Sequence, residues 1–187
     1  MKKILSLVIF LSLIIFPFRA WSRPTLAIGA FGGGNFQLVN TYPDLDPGAG
    51  GGISFEYRFN QHWGIETALS IFDQNGTNNS QGENGIFLLN VPDVALKFYF
   101  FSEEHRVDPY ISAGLGLSVL TEGSIQNNSE GAGLGAIVSL GSDFYLNDWV
   151  SFGVKTQFRS IGLIRGNSQS SALIFLAALG NFTFHFR

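Results

Sequence analysis

VPDVALKFYFFSEEHRVDPYISAGLGLSVL, the stretch from Val91 to Leu120, reads as two alternating segments around one charged turn. Ahead of the turn Val94, Leu96, Phe98 and Phe100 fall on one face and Asp93, Ala95, Lys97 and Tyr99 on the other, the period of two that a β-strand imposes. After it Ile111, Ala113, Leu115, Leu117 and Val119 are apolar, and Ser112, Gly114, Gly116 and Ser118 between them are small or polar. Phe98, Tyr99, Phe100, Phe101 and Tyr110 crowd against the turn. Strands of about 10 residues with one apolar face, a small or polar opposite face and aromatics at one end meet the demands of a transmembrane β-barrel hairpin.

The same alternation recurs on both sides of this hairpin and predicts eight strands. Upstream lie Leu26 to Val39, Gly50 to Phe59 and Trp63 to Phe72; downstream lie Ala132 to Phe144, Val150 to Arg159 and Ser171 to Phe186. Ile86 to Val91 is apolar on both faces and Pro92 breaks the alternation, so a bulge is predicted there. The connections alternate long and short: long after Val39, Phe72, Leu120 and Arg159, tight at Asn60-Gln61-His62 and Asn147-Asp148. That is the wiring of an all-β, eight-stranded, antiparallel up-and-down barrel, with both termini on the side of the short turns.

The first 22 residues stand apart from this pattern. Lys2 and Lys3 form a basic start, Ile4 to Phe16 an apolar run, and Ala20-Trp21-Ser22 puts small residues at both positions a signal peptidase reads. The expected division is a signal peptide over 1–22 and one barrel domain over 23–187. Removing the leader takes Lys2, Lys3 and Arg19, leaving 8 of the 11 basic residues against 14 acidic ones, a net charge of −6. Such a balance argues against nucleic acid as a partner. With no cysteine, the chain has neither a disulfide framework, nor thiolate metal ligands, nor a lipid-anchor cysteine.

If the apolar face of each strand meets lipid, the opposite faces bring Glu56, Glu66, Asp93 and Asp143 together with Arg58, Lys97, Lys155 and Arg159. Four acids against four bases predict an interior charge network with a structural role, because a basic side chain facing mid-bilayer lipid costs about 2 to 4 kcal/mol. The competing reading is that some of these charges sit beyond the hydrocarbon zone and are merely solvated, with Arg58 and Arg159, near strand ends, the first candidates. Trp63, Phe98, Phe100, Tyr110, Phe144, Trp149, Phe182 and Phe184 cluster toward the short turns and predict an aromatic girdle on that side. Alternation by itself also allows a soluble barrel, which would reverse the faces and expose Glu56, Lys97, Asp143 and Lys155.

The FNQHWGIETALS run from Phe59 to Ser70, the PYISAGLG run from Pro109 to Gly116 and the aromatic last strand resemble small bacterial outer-membrane barrels of the OmpA/OmpX/OmpW type. The resemblance covers the whole chain after the leader. It implies residence in the bacterial outer membrane, outer-membrane lipid around the wall, and folding by the barrel assembly machinery. That machinery reads a terminal aromatic; here Phe186 is followed by Arg187.

Catalytic, metal and cofactor motifs do not emerge. The glycine runs Gly48 to Gly52 and Gly131 to Gly135 lack the Lys-Ser/Thr of a phosphate loop, and Asp73-Gln74-Asn75-Gly76 starts like a calcium loop without its later acidic ligand. His62 and His105 fall in short turns, and neither they nor His185 has a hydroxyl and a carboxylate at readable spacing. No cofactor and no enzymatic activity are expected. The leading expectation is a barrel filled by its own side chains that meets an extracellular ligand or surface through polar loops. Those loops carry Asp44, Asp46, Asp73, Glu83, Glu122 and Glu130 against Arg165. The alternative is a small transport barrel for hydrophobic or very small solutes, lined by Phe87, Leu89 and Val91; a lipid A-modifying enzyme ranks third.

Overall fold

Period-two alternation with β-branched and aromatic residues on one face drives the chain into extended strands. In the computed structural model there are eight: β1 (Thr25–Gln37), β2 (Gly48–Arg58), β3 (Trp63–Asp73), β4 (Ile86–Tyr99), β5 (Val107–Glu122), β6 (Gly131–Asn147), β7 (Val150–Ile164) and β8 (Ser170–Phe186). The structure describes residues 25–39, 45–74, 86–101, 106–122, 131–164 and 170–186. The predicted leader 1–22, His105, Arg165, Arg187, and the loop acids Asp44, Glu83 and Glu130 lie outside the described residues.

Each strand pairs antiparallel with its neighbours in chain order, and β1 pairs with β8, so the sheet closes into a barrel. Closure leaves no edge: the backbone groups that would otherwise face hydrocarbon are bonded between strands. Leu26 faces Phe186 and Thr25 faces Arg58, which puts the start of β1 and the end of β8 on the side of the short turns.

The predicted irregularity at Pro92 is a bulge. Asn90 pairs with Ser70 and Ser118, whereas Asp93 pairs with Ala68 and Gly116, so Val91 and Pro92 together oppose a single residue on each neighbouring strand. Both point outward. The bulge resets the parity of β4: Leu88 and Asn90 face inward before it, and Asp93, Ala95, Lys97 and Tyr99 after it.

Leu115 is 56 % and Leu134 58 % exposed, while Lys97 is 3 % and Asp143 4 %. An outer wall of Leu, Ile, Val and Phe around buried charges is the arrangement of a barrel whose solvent is lipid, and it excludes the soluble alternative. Every strand is long enough to cross, from 11 residues in β2 and β3 to 17 in β6, where about 9 to 11 suffice.

Candidate functional site

The inward residues fill the lumen in layers. Nearest the short turns, Arg58 is buried and its Nη2 lies 2.9 Å from Asp108 Oδ2. The guanidinium carbon sits 3.8 Å from the centre of the Tyr99 ring, and the group also donates to the Gln61 and Phe101 carbonyls. Arg58 thus lies inside the barrel and is not a solvated strand-end residue. A desolvated guanidinium held by a carboxylate, carbonyls and an aromatic face closes the end of the barrel.

One layer further in, Lys97 Nζ lies 2.6 Å from Glu56, 3.4 Å from Glu66 and 3.9 Å from Asp143. Lys155 meets Glu66 at 3.0 Å, Tyr99 donates to Glu56, and Asn181 donates to Asp143 at 3.3 Å. Two cavities of about 10 Å³ each share Phe31, Glu66 and Lys155, and each is at most the size of one water. Above them Arg159 pairs with Asp93 through both guanidinium nitrogens and reaches Ser118, which bonds Asn90, which bonds Ser70. Arg159 is therefore buried as well, and not solvated at its strand end.

The half of the lumen toward the long loops is largely apolar, with Asn35 and Gln74 as buried polar residues in it. Phe72, Leu88, Leu120, Ile161, Leu163, Leu173, Phe175, Ala177 and Leu179 form one buried cluster, joined by Leu45 from the β1–β2 connection. Sequence reading missed this plug because Ala172 to Leu179 is apolar on both faces; only parity carried back from the polar Asn181, Thr183 and His185 sets Phe175, which points in, apart from Phe184, which points out. It also missed Asp108, which adjoins the charged turn and yet is fully buried against Arg58.

Two other expectations are corrected. Tyr110 is not part of the outer girdle: sharing parity with Ser112 and Asp108, it is 2 % exposed and packs at a tilt against Tyr99, with Lys97 Nζ 4.0 Å from its ring centre. Gly141 opposite leaves the space its ring occupies. Phe87 and Val91 do not line the lumen. They are on the lipid face, so a channel lined by them has no basis in this barrel. The remaining girdle residues lie on the outer wall, with Trp63 edge-on to Phe98 at 4.9 Å and Phe182 edge-on to Phe184 at 5.2 Å. Phe152, paired with both Phe144 and Phe182, extends this ring.

Folding also brings a hydroxyl to a histidine that lacked one in sequence. Ser151 Oγ lies 2.8 Å from His185 Nε2, and the Tyr145 ring packs 5.1 Å from the imidazole. Ser151 is fully buried, so no substrate carbonyl reaches it. His62 Nδ1 lies 3.0 Å from the Tyr99 carbonyl, a turn contact. Among the described residues no group of three or more His, Cys, Asp or Glu is arranged to hold a metal.

The family described as outer membrane protein beta-barrel domain matches residues 5–179. Among solved structures, Neisserial surface protein A superposes with a TM-score of 0.62 at 14 % identity, over 88 % of this chain and 98 % of that one. The N-terminal β-barrel domain of Pseudomonas aeruginosa OprF gives 0.52 at 20 % identity, over 87 % and 97 %. Ail, the attachment invasion locus protein of Yersinia pestis, gives 0.55 at 11 % identity, over 87 % and 97 %. At such identities the likeness is one of fold. No curated protein matches the chain.

Proposed function

The chain belongs to the outer membrane protein β-barrel domain family and resides in the bacterial outer membrane, and from that premise we propose that it works through its long external loops, with the barrel as a rigid, sealed mount. The observation that carries this reading is the filled lumen: an ion-paired layer toward the short turns and a largely apolar plug toward the long loops. Among the described residues these two layers occupy the lumen, which supports a barrel that passes no solute. The interior charge network is, on this reading, structural, and residues 1–22 are an export signal removed before assembly.

The loop composition suggests the kind of partner. Six acids, Asp44, Asp46, Asp73, Glu83, Glu122 and Glu130, stand against Arg165. One solved structure of Ail holds the heparin analogue sucrose octasulfate, a polyanion. An acidic rim favours the opposite class, cationic surfaces or polycations. Protein folded in vesicles with its loops outward should bind polylysine-coated beads and release them as salt rises, because exposed charges are screened beyond about 10 Å at 0.1 M. Equal or tighter binding to heparin beads would sink the charge argument.

A further inference from the structure

One residue of the apolar plug comes from no strand of the barrel wall. Leu45 lies in the β1–β2 connection, yet it is 4 % exposed and belongs to the buried cluster with Phe72, Leu88, Leu173 and Phe175. Its N–H donates to Gln37 Oε1 at 2.7 Å, and Gln37 Nε2 donates to the Val39 carbonyl at 2.9 Å. A single carboxamide at the end of β1 thus holds the departing chain at Val39 and the returning chain at Leu45. Two residues later Pro47 is exposed, so the inward turn is confined to the leucine.

We propose that Leu45 is the seat of the first external loop: a stopper set into the apolar outer socket of the barrel and clipped there by Gln37. The apolar character of the outer lumen then has a purpose beyond filling space, since a polar lumen would offer a leucine no site. A partner that lifts this loop has to withdraw Leu45 from the socket, so events at the loop are linked to packing inside the barrel. The seat is a property of the folded chain and stands whether or not the loops bind a partner.

Because the chain has no cysteine, single thiols report their position cleanly. Leu45→Cys and Pro47→Cys would be folded into detergent micelles, checked by heat-modifiable gel mobility, and reacted with a bulky maleimide. Leu45→Cys should label at least tenfold more slowly than Pro47→Cys. Adding Gln37→Ala should speed labelling at 45 several-fold and leave 47 unchanged. Equal rates at the two positions overturn the seat, and a slow rate at 45 that Gln37→Ala does not alter overturns the clip. Should Leu45→Cys give no folded band, hydrogen–deuterium exchange of the unaltered protein decides: a protected Leu45 amide supports the seat, and exchange at the free-peptide rate refutes it.

Discussion

Arg159 on β7 reaches across the lumen to Asp93 on β4 and grips it with two guanidinium nitrogens, Nη1 lying 2.9 Å from Oδ1. Both residues are buried, so the energetics are those of a desolvated pair: breaking it is costly, whereas replacing it whole with apolar groups need not be. Asp93→Ala should lose about 3 to 5 kcal/mol in a urea titration of the folded barrel. The double variant Asp93→Leu with Arg159→Met should lose clearly less. If the double variant loses as much as the single one, the pair is not acting as a compensated ion pair.

Gly116 makes the room that Asp93 occupies. A Cβ at this position would collide with Asp93 Oδ1 and crowd Arg159 Nη1 at 3.2 Å. Gly116→Ala should therefore destabilise by about 1 to 3 kcal/mol, the range for overpacking. Gly162, whose outward Cβ would find nothing nearer than 3.9 Å, provides the comparison, and Gly162→Ala should lose no stability. Matching losses at the two glycines in parallel titrations would contradict the packing assigned to Gly116.

Depth decides the cost of a charge on the outer wall. Leu115 faces lipid in mid-strand, and Leu146 is exposed beside the tight turn that follows β6. Leu115→Arg should cost about 2 to 4 kcal/mol in lipid vesicles, and Leu146→Arg about 0 to 1. Ser118, despite its small polar side chain, is no neutral control, because it is buried and bonded to Asn90 and Arg159. Folding titrations that find Leu115→Arg no worse than Leu146→Arg would reverse the face assignment.

On β8 two phenylalanines separate the inner plug from the outer wall. Phe175 is 1 % exposed within the lumen, and Phe184 is half-exposed in the girdle. Truncating Phe175 to Ala leaves a cavity and should cost about 3 to 5 kcal/mol. At Phe184 lipid fills the space left behind, so Phe184→Ala should cost less. Thermal melts in the same detergent would check the order, and a reversed order would mean that β8 is one residue out of register.

How much of this was legible in the sequence follows from how alternation works. Wherever one face is apolar and the other polar, as in β2, β3, β5 and the part of β4 after Pro92, strand, face and wiring could be read directly, and the interior positions of Glu56, Glu66 and Lys97 came with them. Pro92 announced the bulge, but only the pairing of Asn90 and Asp93 reveals that two outward residues there reset the parity of β4. Tyr110 was misread because an aromatic beside a turn suits either face, and parity with Ser112 decides it. Asp108 and Arg58 belong to strand ends 50 positions apart in sequence, so their pairing depends on β2 and β5 facing each other across the closed barrel. The apolar plug was hidden because Leu173 and Phe175 sit in a run, Ala172 to Leu179, that is apolar on both faces, and the polar face of β8 starts only at Asn181.

The claim that the lumen is sealed at both ends, leaving the loops as the working surface, is tested most directly by planar-bilayer recording of the purified, folded protein. A barrel closed by the Arg58–Asp108 layer and by the Leu45–Phe175 plug should add no reproducible conductance steps above the bare bilayer. Steady channels of large conductance, appearing with every preparation and abolished by heat-unfolding, would contradict it.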